Sequence, residues 1–470
     1  MTPARIQRLV GALGLMAISA LWAPATAFAH ALGPTYTSRL PLAVYLAGAA
    51  ATVALSFAFV LVRDVRAERQ VSDDPGHPPP TIIRWGLRLL GLLGWAWIVA
   101  QGVVGGSSDA DVSSLFLWVY GWVGIAMVSA LVGPVWEWLD PFATLHDAGA
   151  AVLRRIGVQG WDMADYPERL GRWPAVVGFI VIVWLELVLK ASPDVLFIVL
   201  LGYTALSLAM MAQFGREAWR ANADVFTVWF RLIGRLAPYA LIPATRHVRR
   251  RAFASGLLET GWTIPDVVVV ALGVGSILYD GLSQTQFWYD IFGVAPLLPQ
   301  TAQMAGFLGV IVVAALAVTR SVGLGATGAG LLPIAAGYLI AHYMTYLLID
   351  GQRIVVAVSD PFQLGWNLFD TAFFEPDGSW LPPGLIWTIQ LAAVVGGHML
   401  GAWGGHVVAA LDAPPGLSAG ALRRRQIPLA IVMVALTTLT LWSLGQAIVV
   451  TPDDAAVVPA LMAPTATFER

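Results

Sequence analysis

The 470-residue chain contains no cysteine. Disulfides, iron–sulfur clusters, zinc–thiolate sites and thiol nucleophiles are thereby excluded. Any metal must be held by histidine, carboxylate, methionine or a chain-terminal amine. Charge is scarce as well. Asp, Glu, Lys and Arg make up 12% of residues against 58% hydrophobic, where soluble chains average about 25% and 45–50%. Lysine occurs once, as Lys190, so arginine supplies the rest of the 27 cations.

What fills the chain instead is apolar runs of about 20 residues, the length that crosses ~30 Å of hydrocarbon. Arg5 and Arg8 precede the run Leu9–Leu21 and then Ala27-Phe28-Ala29, the pattern of a secretory signal peptide over residues 1–29. Cleavage there makes His30 the first mature residue; the other reading is an uncleaved first helix. After removal the sequence predicts an all-α polytopic transmembrane helix bundle of about ten spans. They fall near Leu42–Val62, Arg84–Val104, Ser114–Val132, Pro174–Leu189, Pro193–Gln213, Thr263–Leu282, Gln303–Thr319, Gly330–Ile349, Gly384–Gly404 and Ile427–Ile448. The integral domain covers 30–449 and a tail covers 450–470.

Alternate loops divide the 27 cations unequally. The clusters at 63–69, 84–88, 154–172, 216–235, 246–251, 320 and 423–425 share one side, while Arg39, Lys190, Arg353 and Arg470 face the other. The positive-inside rule puts the first set in the cytoplasm and both mature termini outside. A multi-pass protein of a bacterial plasma membrane is expected.

Near 215–237, Arg216, Arg220, Arg231 and Arg235 forbid a span, while Phe226, Trp229, Phe230 and Ile233 share one helical face. That predicts an amphipathic interfacial helix on the cytoplasmic membrane surface. Arginines beside spans set topology, so Arg246–Arg251 gives no reason to expect nucleic acid. Trp85, Trp136, Trp138, Trp262, Trp288 and Trp387 fall near span ends, as interface anchors do.

The eighth span carries Tyr338, His342, Thr345 and Tyr346 on one face, with Asp350 a turn further. Asp280 closes the sixth span near the same outer level. Three readings stay open for this cluster. One is a structural polar network. Another is an acid–base or metal site, with His342 as base or with His342, Asp280 and Asp350 holding a divalent metal ion. The third adds His30, whose amine and ring suit copper. Glu186 either pairs with Lys190 four residues on or completes the cluster. In the ninth span Ala393, Gly397, Gly401 and Gly405 form a small-residue strip for close helix approach, suited to α-helical packing or to a partner helix. Gln390, His398 and His406 run beside it. His398 is expected about nine residues, ~13 Å, deeper than His342.

Several segments are carried in order: AHALG, YPERLGRWPA with WLELV, FGREAW, YDGLSQTQFW, PIAAGYLIAHY, IDGQ with SDPFQLGWNLF, and QLAAVVGGH. In these the chain resembles, from His30 to about Gly445, the larger subunit of the bacterial membrane-bound fenitrothion hydrolase family. The resemblance implies hydrolysis of an organophosphorus triester at its aryl ester bond, a second membrane subunit, and a small apolar substrate that partitions into lipid. It brings no catalytic motif that maps residue by residue. The chain has no HxH pair or HExxH, and its one GxSxG pattern, Gly416-Leu417-Ser418-Ala419-Gly420, stands in the short Pro/Gly-rich connection between the ninth and tenth spans rather than in a strand-to-helix elbow. On the residues themselves His342, Asp280 and Asp350, with Tyr346 or Tyr338 to stabilise developing charge, are the candidate catalytic set. A transporter or metal-handling protein, and a non-catalytic scaffold subunit, are the alternatives.

Overall fold

The computed structural model describes residues 48, 51, 55, 74–105, 111–157 and 164–444. The signal peptide, His30, most of the first expected span and the 450–470 tail lie outside the described residues.

In chain order the first helices are α1 (Thr81–Val104), α2 (Val112–Leu131), α3 (Trp136–Leu139), α4 (Pro141–Arg155), α5 (Trp173–Leu187), α6 (Pro193–Phe214), α7 (Arg216–Asn222) and α8 (Val225–Ile233). An antiparallel hairpin follows, β1 (Tyr239–Ile242) with β2 (His247–Arg250). The rest is α9 (Ile264–Ser283), α10 (Gln286–Phe292), α11 (Leu297–Val322), α12 (Leu324–Ile349), α13 (Pro383–Leu411) and α14 (Ala419–Leu444). Among the described residues eight helices are long and apolar enough to cross a membrane, and α5 is a shorter apolar one. These coincide with the second to tenth expected spans. The protein is a multi-pass α-helical bundle.

Local sequence explains where the helices begin. Proline stands in the first turn of α5, α6, α9 and α13, where its missing N–H is not needed. Thr263 and Asp266 close a reciprocal capping box on α9. Gly323, at φ 88°, is the one residue between α11 and α12; that left-handed conformation suits glycine and reverses the chain in a single step.

Two helices form the centre. In α9, 89% of the apolar window is buried, and in α12 with its continuation to Ser359, 83%; in α1 the figure is 11%. Helices buried all round must be apolar all round, as α9 is. The peripheral helices expose Ile82, Leu90, Ile198, Leu298 and Val310, surface that suits lipid contact.

The expected small-residue strip is real and already taken. A Cβ on Gly401 would run into the carbonyl oxygen of Gly330, and one on Gly337 into that of Ala393. A Cβ on Gly397 would stand 2.6 Å from the Pro333 carbonyl oxygen. Helices α12 and α13 therefore meet backbone to backbone, as small-residue seams allow, and the strip is not available to a partner helix.

The segment near 215–237 departs from expectation. It is two helices broken at Ala223-Asp224, and the predicted apolar face of Phe226, Trp229, Phe230 and Ile233 is indeed inward. Yet Val225, Thr227, Val228 and Leu232 on its other sides are buried too, and α8 packs on α2, α3, α5, α9 and α12. Charge pairing makes this possible. Arg220, 0% exposed, donates from Nη1 to Glu137 Oε2 and from Nε to Asp140 Oδ2, both at 2.9 Å. Arg231 Nε donates to the other oxygen of Glu137 at 2.6 Å. Asp140 and Asp224 also cap α4 and α8 through the amides of Ala143, Phe226 and Thr227. Trp136, Trp138 and Trp262, expected at the interface, are instead buried; Trp136 packs on Phe226 and Phe230 and donates Nε1 to Thr227.

Two outcomes follow for stability. Gly401→Ala forces a carbonyl aside and should cost about 1–3 kcal/mol, while Gly396→Ala, with nothing within 4 Å of its Cβ, should be neutral or mildly stabilising; melting temperatures in detergent compare the two. Burial pushes the Glu137 carboxyl up, but the guanidiniums of Arg220 and Arg231 outweigh it and hold the group at about 2. A depressed carboxylate stabilises fully above its unfolded value of 4.5 and loses that stabilisation as pH falls toward about 2. A contribution on the order of 3 kcal/mol should disappear across that window in wild type and be missing in Glu137→Gln, read from acid unfolding curves.

Candidate functional site

Helices α9 and α12 run side by side, and each brings polar groups to the end of the bundle away from the arginine clusters. In the last turn of α9, Asp280 is 8% exposed. A buried carboxylate must be hydrogen-bonded to be tolerated, and this one accepts three bonds. His342 Nε2 and Tyr343 Oη each donate to Oδ2 at 2.9 Å, and Gln284 Nε2 donates to Oδ1 at 2.7 Å. His342 and Tyr343 are consecutive on α12, their rings perpendicular at 4.6 Å.

The pairing assigns the imidazole its roles. A carboxylate only accepts, so Nε2 carries the proton and Nδ1 of the neutral ring is the basic nitrogen. Beside that edge Gly281 leaves room: a Cβ there would lie 4.0 Å from Nδ1 and 3.8 Å from Ser443 Oγ of α14. The His342 side chain keeps 25% of its surface exposed, so the ring is reachable. An imidazole oriented by a carboxylate, with its second nitrogen open, can take a proton from water or a hydroxyl.

Other groups gather around the pair. Tyr346 lies tilted toward Tyr343 at 6.4 Å between ring centroids, and among the described residues its hydroxyl has no hydrogen-bond partner. Glu186 of α5 lies close enough to Asp280, Tyr343 and Tyr346 to interact electrostatically. Its alternative partner, Lys190, falls beyond the end of α5 at Leu187, with φ 46°. No helical four-residue spacing joins them. Glu186 belongs to the cluster.

Two expected members sit elsewhere. Asp350 begins the 3₁₀ turn Asp350–Arg353 and faces Arg353 Nε at 3.4 Å, with 36% of its side chain exposed. The ligand set His342, Asp280 and Asp350 is thus not assembled, and among the described residues no three histidine or carboxylate groups converge to hold a metal. His30 lies outside the described residues. Tyr338 is 1% exposed and turns into the α13 seam, where its hydroxyl is 3.5 Å from His398 Nε2. His398 Nδ1 donates to the Val394 carbonyl at 2.8 Å, which leaves Nε2 to accept from the tyrosine. Tyr338 stands one helical turn, ~6 Å of rise, from His342 along α12, and so links that helix to His398 of α13. At the arginine-rich end His406 Nδ1 meets Gln426 Oε1 at 2.7 Å.

Tyr343 and Gln284 are the members that reading along one helical stripe passes over. Tyr343 is 100° around α12 from His342, and only the position of Asp280 between them shows that both can reach one oxygen. Compared with protein-family models, curated proteins and solved structures, the chain matches none.

Tyr343→Phe deletes one of the two donors to Oδ2 while keeping the ring. It should destabilise the protein by about 1–2 kcal/mol in thermal unfolding and leave the helix content seen by circular dichroism unchanged.

Proposed function

We propose that this protein is a membrane-embedded hydrolase of apolar esters, with an organophosphorus triester of the fenitrothion type as substrate class and His342 as general base. The hydrogen bond between Asp280 and the reachable His342 carries the reading. The family resemblance supplies the substrate class and a second membrane subunit. In this reading the arginine-rich end faces the cytoplasm of a bacterial plasma membrane, and the Asp280–His342 pair lies in the outer half, where a lipid-dissolved substrate reaches it sideways.

The chemistry balances with water alone. His342 Nδ1 takes one proton as the water oxygen attacks phosphorus, and Asp280 steadies the imidazolium that forms. The bond from phosphorus to the aryl oxygen breaks, and the proton held by His342 passes to the departing aryloxide. The products are a phosphodiester and a phenol. Tyr346, with its hydroxyl unspent, is placed to donate to the phosphoryl oxygen as charge builds there.

A second reading rests on a different observation. Along α12, His342, bonded to Asp280 of α9, stands one turn from Tyr338, which meets His398 of α13, a polar series that also suits a proton or solute path.

Release of the phenol from an aryl phosphotriester by the purified protein, with and without its partner subunit, decides between them. His342→Ala should lower kcat/KM by roughly 10²–10⁴, whereas Tyr338→Phe, one turn away, should change it little. Absence of turnover in wild type with its partner, or an unaffected His342→Ala, sinks the hydrolase reading. Flux into sealed vesicles without bond cleavage favours the path.

A further inference from the structure

At the other end of the bundle the sequence spends most of its charge, and the fold gathers part of it around one cavity. The cavity, about 220 Å³, is enclosed by the end of α2, α3, α8, the β1–β2 hairpin and the stretch before α9. Four guanidiniums line it, from Arg172, Arg231, Arg235 and Arg251, against two carboxylates, Glu137 and Glu259. Each carboxylate balances one of them, Glu137 pairing with Arg231 and Glu259 with Arg251, while Asp266 pairs with Arg172. Glu137 is also held from behind by Arg220, and Glu259 is shared with Arg249.

Arg251 is fully committed: Nη1 to Glu259 at 2.9 Å, Nε and Nη2 to the carbonyls of Ala237 and Gly234. Arg172 donates Nη1 to Asp266 and Nε to the Ala221 carbonyl, and Nη2 is unspent. Arg231 gives Nε to Glu137, and Nη1 is unspent. Arg235 has no carboxylate at ion-pair distance; it rests on the Trp262 ring, 4.2 Å from the centroid, and donates only to the carbonyls of Glu259 and Thr260. Burial pushes the Arg235 guanidinium below the ordinary arginine range. A further donor lines the same cavity: Ser129, 0% exposed, whose hydroxyl takes no partner.

Arg172 and Arg231 keep 30% and 26% of their side chains exposed, and a guanidinium with an unspent N–H favours an anion offered to it. Several arginine forks and a hydroxyl around one space suit a tetrahedral oxyanion, which accepts from many directions. Basic pockets between membrane helices are where phospholipid headgroups are held, and the exposed Tyr239 in the wall adds an aromatic ring of the kind found at that level.

We propose that this cavity is a binding site for a phosphate group, held by Arg235, Arg231, Arg172 and Ser129, and brought either by an anionic lipid headgroup or by free phosphate. It is separate from the Asp280–His342 pair, and its test does not involve hydrolysis.

The experiment is thermal unfolding of the full chain in detergent. Phosphatidylglycerol is titrated against phosphatidylcholine in mixed micelles, and inorganic phosphate against chloride at constant ionic strength. A ligand that binds the folded state raises the melting temperature saturably. A rise with phosphatidylglycerol alone identifies the headgroup; a rise with phosphate as well identifies the free anion. Arg235→Gln should weaken the half-saturating concentration about tenfold and Ser129→Ala several-fold. Arg246→Gln, at the same end but outside the cavity wall, should leave it unchanged. No saturable rise with either ligand overturns the site, as does a loss in Arg246→Gln equal to that in Arg235→Gln. If Arg235→Gln does not fold, an unchanged affinity in Ser129→Ala is sufficient to reject it.

Discussion

The guanidinium of Arg220 has no water to face, and much of the fold is arranged to bring acids to it: Nε and Nη1 are hydrogen-bonded, and Nη2 alone has no partner among the described residues. It draws Glu137 and Asp140, some 80 residues earlier in the chain, against the link between α6 and α8. Each partner has a second task. Asp140 caps α4, Glu137 holds Arg231, and Asp224 nearby caps α8 and accepts from Tyr203 of α6. Removing one member of such a buried set leaves the others charged and unpaired, which costs ~3–5 kcal/mol. With the network closed, a helix bearing Arg231 can sit inside the bundle. Trp122 of α2 and Phe179 of α5 then pack against its Phe226 and Trp229.

The polar chemistry of the molecule thus separates into two ends with different economies of charge. At the arginine-rich end four arginines share one cavity wall with two glutamates. At the far end the reverse holds: Asp280 and Glu186 meet one imidazole and two phenols, with no arginine bonded to Asp280. A base is useful only where its conjugate acid can be stabilised, and an acidic surrounding does that for histidine.

How much of this could be read from residues alone depended on distance along the chain. The spans were legible because length and hydropathy are local properties. The glycine seam was legible because a four-residue repeat lies on one helix face, although its partner, α12, was not. His342 and Asp280 stand out as polar groups in apolar surroundings, both toward the outer ends of their spans. The pairings that needed two remote segments escaped. Arg220 looked like an interfacial cation because its acids lie far upstream. Trp136 and Trp262 looked like anchors because span ends are where anchors sit. Asp350 continued a helical stripe on paper, but the chain tightens into a 3₁₀ turn there and delivers it to Arg353.

The α12–α13 seam has one further consequence, for motion. Side chains can change rotamer and let helices slide, but two backbones in contact have no such slack. Gly330, Pro333 and Gly337 against Gly401, Gly397 and Ala393 make the two helices a single rigid body. Within it Tyr338 and His398 ride together at fixed separation. The walls that face His342 are held to this pair of helices by side chains alone: α9 with Asp280, α14 with Ser443 and α5 with Glu186. The acids of the cluster thus stand on helices that can be repacked by side-chain substitution, whereas the histidine-bearing helices cannot.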